Sequence, residues 1–119
     1  YKTNLFEDIS NIKAASIFVD NTSLKGFPDG STVDINGHLW NAEWNGGQVS
    51  SYDLSGKLLN IIKTPMQRPT CCAFGGKNMN TLFITSALEK ENEEDNLSGK
   101  TISISTDTVG NFSNRFFIK

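Results

Sequence analysis

The sequence has few of the features that mark membrane, nucleic-acid-binding or secreted proteins. Its longest apolar runs, such as residues 58–62 and 82–84, fall far short of the roughly 18 residues that a spanning helix needs, so we expect no membrane association. A formal net charge of −2 gives no basic surface for phosphates, so nucleic acid is not an expected partner. No charged and apolar leader opens the sequence, which predicts no signal peptide.

Cysteine and histidine are also scarce. The only two cysteines, Cys71 and Cys72, are neighbours, and no second pair exists for a disulfide framework or a tetrahedral zinc site. We expect two small buried thiols in a strand and a reducing, cytoplasmic location, with redox chemistry or metal binding as the alternative. His38 is the only histidine. It follows an Asn-Gly turn, so we expect a structural or solvent role for it rather than catalysis.

What the sequence does contain is typical of β structure. Runs rich in Val, Ile, Leu, Trp and Thr occupy residues 31–35, 39–44, 48–53 and 58–64, and glycine-containing turns separate them. This pattern predicts a meander of four antiparallel strands. Further along, residues 88–97 are acidic and have no apolar stripe, so we interpret them as a solvated loop.

The meander pattern occurs twice. The run GHLWNAEW at 37–44 recurs as NTLFITSA at 80–87, and the strand that follows Gly47 recurs after Gly99. A four-stranded unit of about 40 to 50 residues is the period of a propeller blade, whose face must be covered by the next blade. The all-β chain is therefore predicted to be a C-terminal fragment of a longer β-propeller, about two and a half blades in length. A free-standing small β domain is the alternative.

The repeat also predicts how the chain is divided. All three units are predicted to belong to one propeller domain, whose missing N-terminal blades would be its partner. The units are the outer strands of a truncated blade at 1–24, a complete blade at 25–66, and a final blade at 67–119 that carries the acidic loop 88–97.

Two segments resemble a known family. Residues 28–59, which begin PDGSTVDINGHLW, and residues 68–87, which begin RPTCCAFGG, are similar to the C-terminal third of the senescence-marker-protein (regucalcin), gluconolactonase and luciferin-regenerating family. The resemblance implies a six-bladed propeller that hydrolyses sugar lactones with one divalent metal ion near its axis. In that family the Asp of the Pro-Asp-Gly turn binds the metal and acts in proton transfer. That catalytic and metal-binding role maps onto Asp29.

The predicted position of Asp29 agrees with this role. Antiparallel strands put the loop before the first strand and the loop between the second and third strands on one face, so Asp29 and residues 44–47 should share that face with residues 66–70. The first strand lies nearest the axis, which would put Asp29 at the mouth of a central channel. A carboxylate is a suitable ligand for calcium, zinc or manganese, and beside a metal-activated water it can accept a proton.

Three other residues on this face are candidates for lining a sugar-lactone site. They are Trp44, Asn45 and Arg68, with core packing as the alternative role for Trp44 and a rim salt bridge as the alternative for Arg68. The acidic loop would act as a lid only under a less favoured interpretation. The remaining metal ligands and substrate contacts of the family lie on earlier blades, so we expect the fragment alone to be inactive.

The chain departs from the family pattern at two positions near Asp29. Ser31 stands where a bulky residue, commonly Met, often follows Pro-Asp-Gly, and Asn41 stands where the strand usually has an apolar residue. These departures leave the substrate open. They also leave a second function, a non-catalytic propeller that binds calcium or another protein.

Overall fold

The computed structural model describes residues 16–88 and 97–112. These residues form two antiparallel sheets, one with strand order β1-β2-β3-β4 and one with order β5-β6-β7. None of them forms a helix long and apolar enough to cross a membrane. The strands are β1 Phe27–Val33, β2 Leu39–Trp44, β3 Gln48–Tyr52, β4 Leu58–Lys63, β5 Pro69–Gly75, β6 Thr81–Ser86 and β7 Thr101–Ser105.

Two similar turns fix the hairpins of the first sheet. The side chain of Asp34 accepts a hydrogen bond from the backbone N–H of Asn36 at 2.9 Å, and Gly37 has a φ of 82°, which residues with a side chain rarely adopt. Asp53 and Gly56, which has a φ of 86°, repeat this arrangement between β3 and β4. The predicted meander is therefore confirmed, because β2, β3 and β4 match their predicted ranges to within one residue.

The first strand differs from its prediction. It begins at Phe27 rather than at residue 31, so the predicted Pro-Asp-Gly turn lies inside β1. Pro28 pairs with Glu43 and Ser31 pairs with Asn41, and the register shifts between these two pairs. Two residues of β1 therefore lie opposite one residue of β2, which is a β-bulge. Proline is tolerated at this point because β1 is an edge strand.

The hydrophobic core lies between the two sheets. The edge of the Trp40 ring packs against Phe74 of the second sheet, with ring centroids 5.4 Å apart and planes at 85°. Each sheet thus buries one face against the other, as the repeat predicts. The buried members of the core are Trp40, Ala42, Val49, Met66, Cys72, Leu82 and Ile84.

The sheets fall within two of the predicted units. Strands β1 to β4 lie within 25–66, and β5 to β7 lie within 67–119. Most of the truncated blade, nearly all of the acidic loop and the predicted last strand lie outside the described residues. The division into blades at these boundaries stays a prediction.

Candidate metal and substrate site

Asp29 lies in the bulge of an edge strand that contacts the second sheet. Strand β1 contacts β5, and the two backbones come close at Gly30, where a Cβ atom would lie 2.7 Å from the carbonyl oxygen of Thr70. The side chain of Asp29 is exposed. Within 16–88 and 97–112 its carboxylate has no hydrogen bond or ion pair. It is therefore accessible to a cation or to a substrate at the inner edge of both sheets.

Asp29 can supply one ligand to a divalent metal ion. Its carboxylate oxygens are hard donors of the kind that calcium, manganese and zinc accept. Over the described part of the chain, no group of three or more His, Cys, Asp or Glu side chains converges. Asp29 therefore fits a metal site only as one of several ligands, and the described residues do not supply a cluster of others around it.

A cleft of about 230 Å³ extends from Asp29 along the first sheet. Its lining includes Ser31, Asn41 and Tyr52. Burial, with a smaller contribution from the nearby Glu43 carboxylate, raises the pKa of the Tyr52 hydroxyl. The Tyr52 side chain is buried, and its hydroxyl interacts with Ser50 and Glu43.

The structure brings together the three predicted substrate-lining residues. Arg68 lies over the Trp44 ring, with its Cζ atom 5.5 Å from the ring centroid, and its Nε donates a hydrogen bond to Asn45 Oδ1 at 2.9 Å. The backbone of Gln67 accepts a hydrogen bond from the N–H of Gly47 at 3.1 Å. The β2–β3 turn and the β4–β5 loop are thus joined on the side of the sheet that carries Asp29.

Sequence reasoning missed a buried carboxylate at the junction of the two sheets. Asp34 has no exposed surface, and its Oδ2 accepts hydrogen bonds from Trp40 Nε1 at 3.1 Å and Thr108 Oγ1 at 3.2 Å. His38 Nδ1 lies 3.1 Å from the same oxygen, so His38 has the structural role that we expected. Burial raises the pKa of Asp34, but hydrogen bonds from Trp40, His38, Asn36 and Thr108 together hold it below its usual value.

A second buried carboxylate, Glu43, lies on the face of the first sheet that points away from the core. Gln48 Nε2 donates a hydrogen bond to Glu43 Oε2 at 2.7 Å, and Ser50 donates to Oε1. Lys63 donates to the side-chain oxygen of Gln48. The signal was present in part in the sequence, because polar and apolar residues alternate from residue 40 to residue 44 of β2.

The two cysteines differ from their predicted state. Both are free thiols, but only Cys72 is buried, while Cys71 is exposed. Adjacent residues of a strand point to opposite faces, so one neighbour of a core residue must point outward. Burial, with a smaller contribution from Cys71, raises the pKa of Cys72 to about 12. The prediction of two buried thiols is therefore wrong for Cys71.

Comparison with known proteins identifies the family. Residues 1–88 match the family model described as SMP-30/Gluconolactonase/LRE-like region. The chain belongs to this family. The predicted resemblance is thus confirmed.

Two curated members of the SMP-30/gluconolactonase family are lactonases by name. The pentonolactonase XacC of Haloferax volcanii is 38% identical over 87 residues, which cover 73% of this chain and 30% of that protein. The 6-deoxy-6-sulfogluconolactonase of Pseudomonas putida is 40% identical over 70 residues, which cover 59% of this chain and 24% of that protein. The chain thus spans less than a third of the length of these relatives.

A solved structure of the same family shows the fold. A calcium-binding protein, regucalcin of Agrobacterium tumefaciens, superimposes with a TM-score of 0.78 at 33% identity, covering 87% of this chain and 36% of that one. The two sheets described above are therefore blades of a β-propeller, and the chain is part of one. The all-β propeller prediction is confirmed.

Proposed function

We propose that this chain provides the catalytic and metal-binding carboxylate of a hydrolase that opens sugar lactones with the help of one divalent metal ion. The observation that carries the proposal is the exposed carboxylate of Asp29, which has no partner among the described residues and lies on the edge strand between two propeller blades. The lactonases among the relatives support the choice of substrate class.

Asp29 would act as the general base and then as the general acid. Its carboxylate accepts a proton from the water that attacks the lactone carbonyl, and it returns that proton to the ring oxygen as the ring C–O bond breaks. The product is the open hydroxy acid. A divalent ion held by Asp29, when bound, polarises the lactone carbonyl and lowers the pKa of water.

The cluster of Trp44, Asn45 and Arg68 would line the substrate site. Arg68 is held by the Trp44 ring and by the side-chain oxygen of Asn45, so its planar guanidinium is pre-organised. A fixed cation beside an indole suits a hydroxylated ring that presents oxygen atoms along one edge. These residues would orient the lactone rather than take part in bond breaking.

The proposal requires residues beyond those described. Asp29 alone cannot hold a metal firmly, so we propose that the other ligands come from further blades of a longer protein and that the fragment alone is inactive.

The metal would be calcium, zinc or manganese, of which calcium has the support of the calcium-binding regucalcin neighbour. We also propose a reducing, cytoplasmic location, as the sequence predicts.

The test uses the protein with its upstream blades. Hydrolysis of glucono-lactone is measured by proton release before and after removal of metal with a chelator, and in the variants Asp29→Ala and Asp107→Ala. We expect turnover to fall at least about 10³-fold in Asp29→Ala and after chelation. Asp107→Ala, which changes an exposed aspartate outside the site, should keep wild-type turnover. Full turnover in Asp29→Ala would overturn the catalytic assignment.

A second function, calcium binding without catalysis, is favoured by the calcium-binding protein among the structural neighbours. Calorimetric titration of calcium separates the two functions. Calcium binding that depends on Asp29, in a protein with no turnover of any sugar lactone tested, would support the second function. Turnover that requires the metal would support the first.

A further inference from the structure

The bulge that carries Asp29 is held by a side chain from the neighbouring strand. Asn41 Nδ2 lies 3.0 Å from the carbonyl oxygen of Asp29 and 2.8 Å from Ser31 Oγ. One amide group thus donates both of its hydrogens to the two ends of the bulge. Ser31 and Asn41 are the two positions near Asp29 that the sequence analysis singled out, and the structure shows that they contact each other.

The bulge explains why such a donor is needed. Asp29 and Gly30 lie opposite the single residue Ala42, so the regular ladder between β1 and β2 is interrupted at this point. A backbone carbonyl that leaves the ladder needs another donor if its orientation is to be fixed. Asn41 provides the shorter of two such bonds, at 3.0 Å against 3.4 Å from Ser31 Oγ, and at 6% exposure Asn41 is itself buried in the sheet.

The other side of the bulge is fixed by packing. A Cβ atom at Gly30 would lie 2.7 Å from Thr70 O and 2.6 Å from Cys71 Sγ, so the backbone there rests directly on β5. Asn41 on β2 and the β5 backbone therefore confine the Asp29 peptide from two directions. The Asp29 carboxylate is left exposed, but the main chain that aims it is not free to move.

We propose that Asn41 is a positioning residue for Asp29. Its amide fixes the peptide of the bulge and so the direction in which the carboxylate leaves the strand. This inference rests on the proposed function of Asp29 as a metal ligand. A carboxylate held in one direction binds a cation more tightly than one that must be ordered on binding, because less conformational entropy is lost. Asn41 should therefore set the metal affinity without touching the metal.

The experiment measures calcium and manganese affinity by calorimetry in the protein with its upstream blades. Asn41→Leu keeps the approximate size of the side chain and removes both hydrogen bonds that Asn41 donates. Ser31→Ala removes the longer bond from Ser31 Oγ to the Asp29 carbonyl at 3.4 Å but leaves the bond from Asn41 to that carbonyl in place. Asn60→Leu controls for the substitution itself, because it makes the same change at an exposed position of β4, away from the bulge.

We expect Asn41→Leu to weaken metal binding about tenfold, which corresponds to about 1.4 kcal/mol. Ser31→Ala should weaken it about twofold, and Asn60→Leu should bind metal like the wild type. Saturating metal should restore most of the kcat of Asn41→Leu, since the catalytic carboxylate itself is intact. Wild-type metal affinity in Asn41→Leu, or an equal loss in Asn60→Leu, would overturn the inference.

Two further measurements keep the result decisive. If Asn41→Leu does not fold, as judged by circular dichroism, Asn41→Asp replaces it, because Asp has the same shape but cannot donate to two acceptors at neutral pH. Failure of both variants to fold would overturn the inference by making Asn41 a stability residue. Asp29→Ala is titrated in parallel. Normal metal binding in Asp29→Ala would refute the proposed function. Loss of metal binding in Asp29→Ala together with wild-type metal binding in Asn41→Leu would refute only the positioning role of Asn41.

Discussion

The hydroxyl of Thr108 donates a hydrogen bond to Asp34 Oδ2 at 3.2 Å, and so connects the segment after β7 to the end of β1. The same carboxylate oxygen accepts the indole N–H of Trp40, a member of the core between the sheets. One buried side chain therefore connects a turn, the core and the neighbouring blade. The contact between the blades depends on this polar junction as well as on apolar packing.

Replacement of Asp34 by alanine should lower the free energy of unfolding by about 3 kcal/mol, because it leaves the buried Trp40 N–H without an acceptor. Asp53→Ala is the control, since Asp53 makes the same kind of turn at a partly exposed position, and this change should cost about 1 kcal/mol or less. Urea denaturation measures both. Equal losses in the two variants would contradict the role of Asp34 as a junction.

Stability should fall in acid in a manner that depends on Asp34. The pKa of Asp34 in the folded state is below the ordinary aspartate value. The contribution of Asp34 to the free energy of unfolding is therefore complete above the unfolded pKa of about 3.9 and is lost as the pH falls through the folded pKa. The free energy of unfolding, measured in urea from about pH 6 down to about pH 2.5, should therefore decline more steeply in the wild type than in Asp34→Asn. Parallel curves would show that Asp34 does not contribute.

The two adjacent thiols should react differently in the native protein. Iodoacetamide should label Cys71, which is exposed, and should leave Cys72 unlabelled, because burial raises its pKa to about 12 and excludes the reagent. Mass spectrometry should find one label on the pair under native conditions and two in denaturant. In Cys71→Ser the native protein should take no label at this pair. Native labelling of Cys72 would show that the core between the blades opens readily.

Gly30→Ala should be destabilising, because the added methyl group would meet the Thr70 backbone and the Cys71 side chain at less than 3 Å. Overpacking of this kind costs about 1 to 3 kcal/mol. Gly75→Ala is the control, since its added methyl group would meet only the partly exposed ring of Phe83, which can move. Urea unfolding measures both. An equal effect of the two changes would show that β1 and β5 are not packed tightly beside Asp29.

The strand order of the first sheet could be predicted because its signals are local. Asp-x-Asn-Gly and Asp-x-Ser-Gly each specify a turn by a side-chain acceptor and a glycine, and the apolar alternation between them specifies the strands. The start of β1 could not be predicted in this way. Pro-Asp-Gly suits a free turn and a bulge equally well, and only the pairing of Pro28 with Glu43 decides between them.

The site was predictable only in part. Trp44, Asn45 and Arg68 were placed on one side by strand direction alone, and the structure brings them into contact. The roles of Asp34 and Asn41 depend on partners that strand periodicity does not reveal. Thr108 is distant from Asp34 in the sequence, and Asn41 faces the bulge only because the register shifts there.

The outward face of the first sheet restricts which blade can be its neighbour. Glu43 is buried there, with Gln48 and Ser50 as its hydrogen-bond donors. A purely apolar blade grafted from an unrelated propeller would match that surface poorly, because its apolar side chains would pack against a buried carboxylate and the amide that is bonded to it. Chimeric propellers built at this boundary should therefore assemble only when the donor blade brings polar groups in register, so this blade is not freely exchangeable.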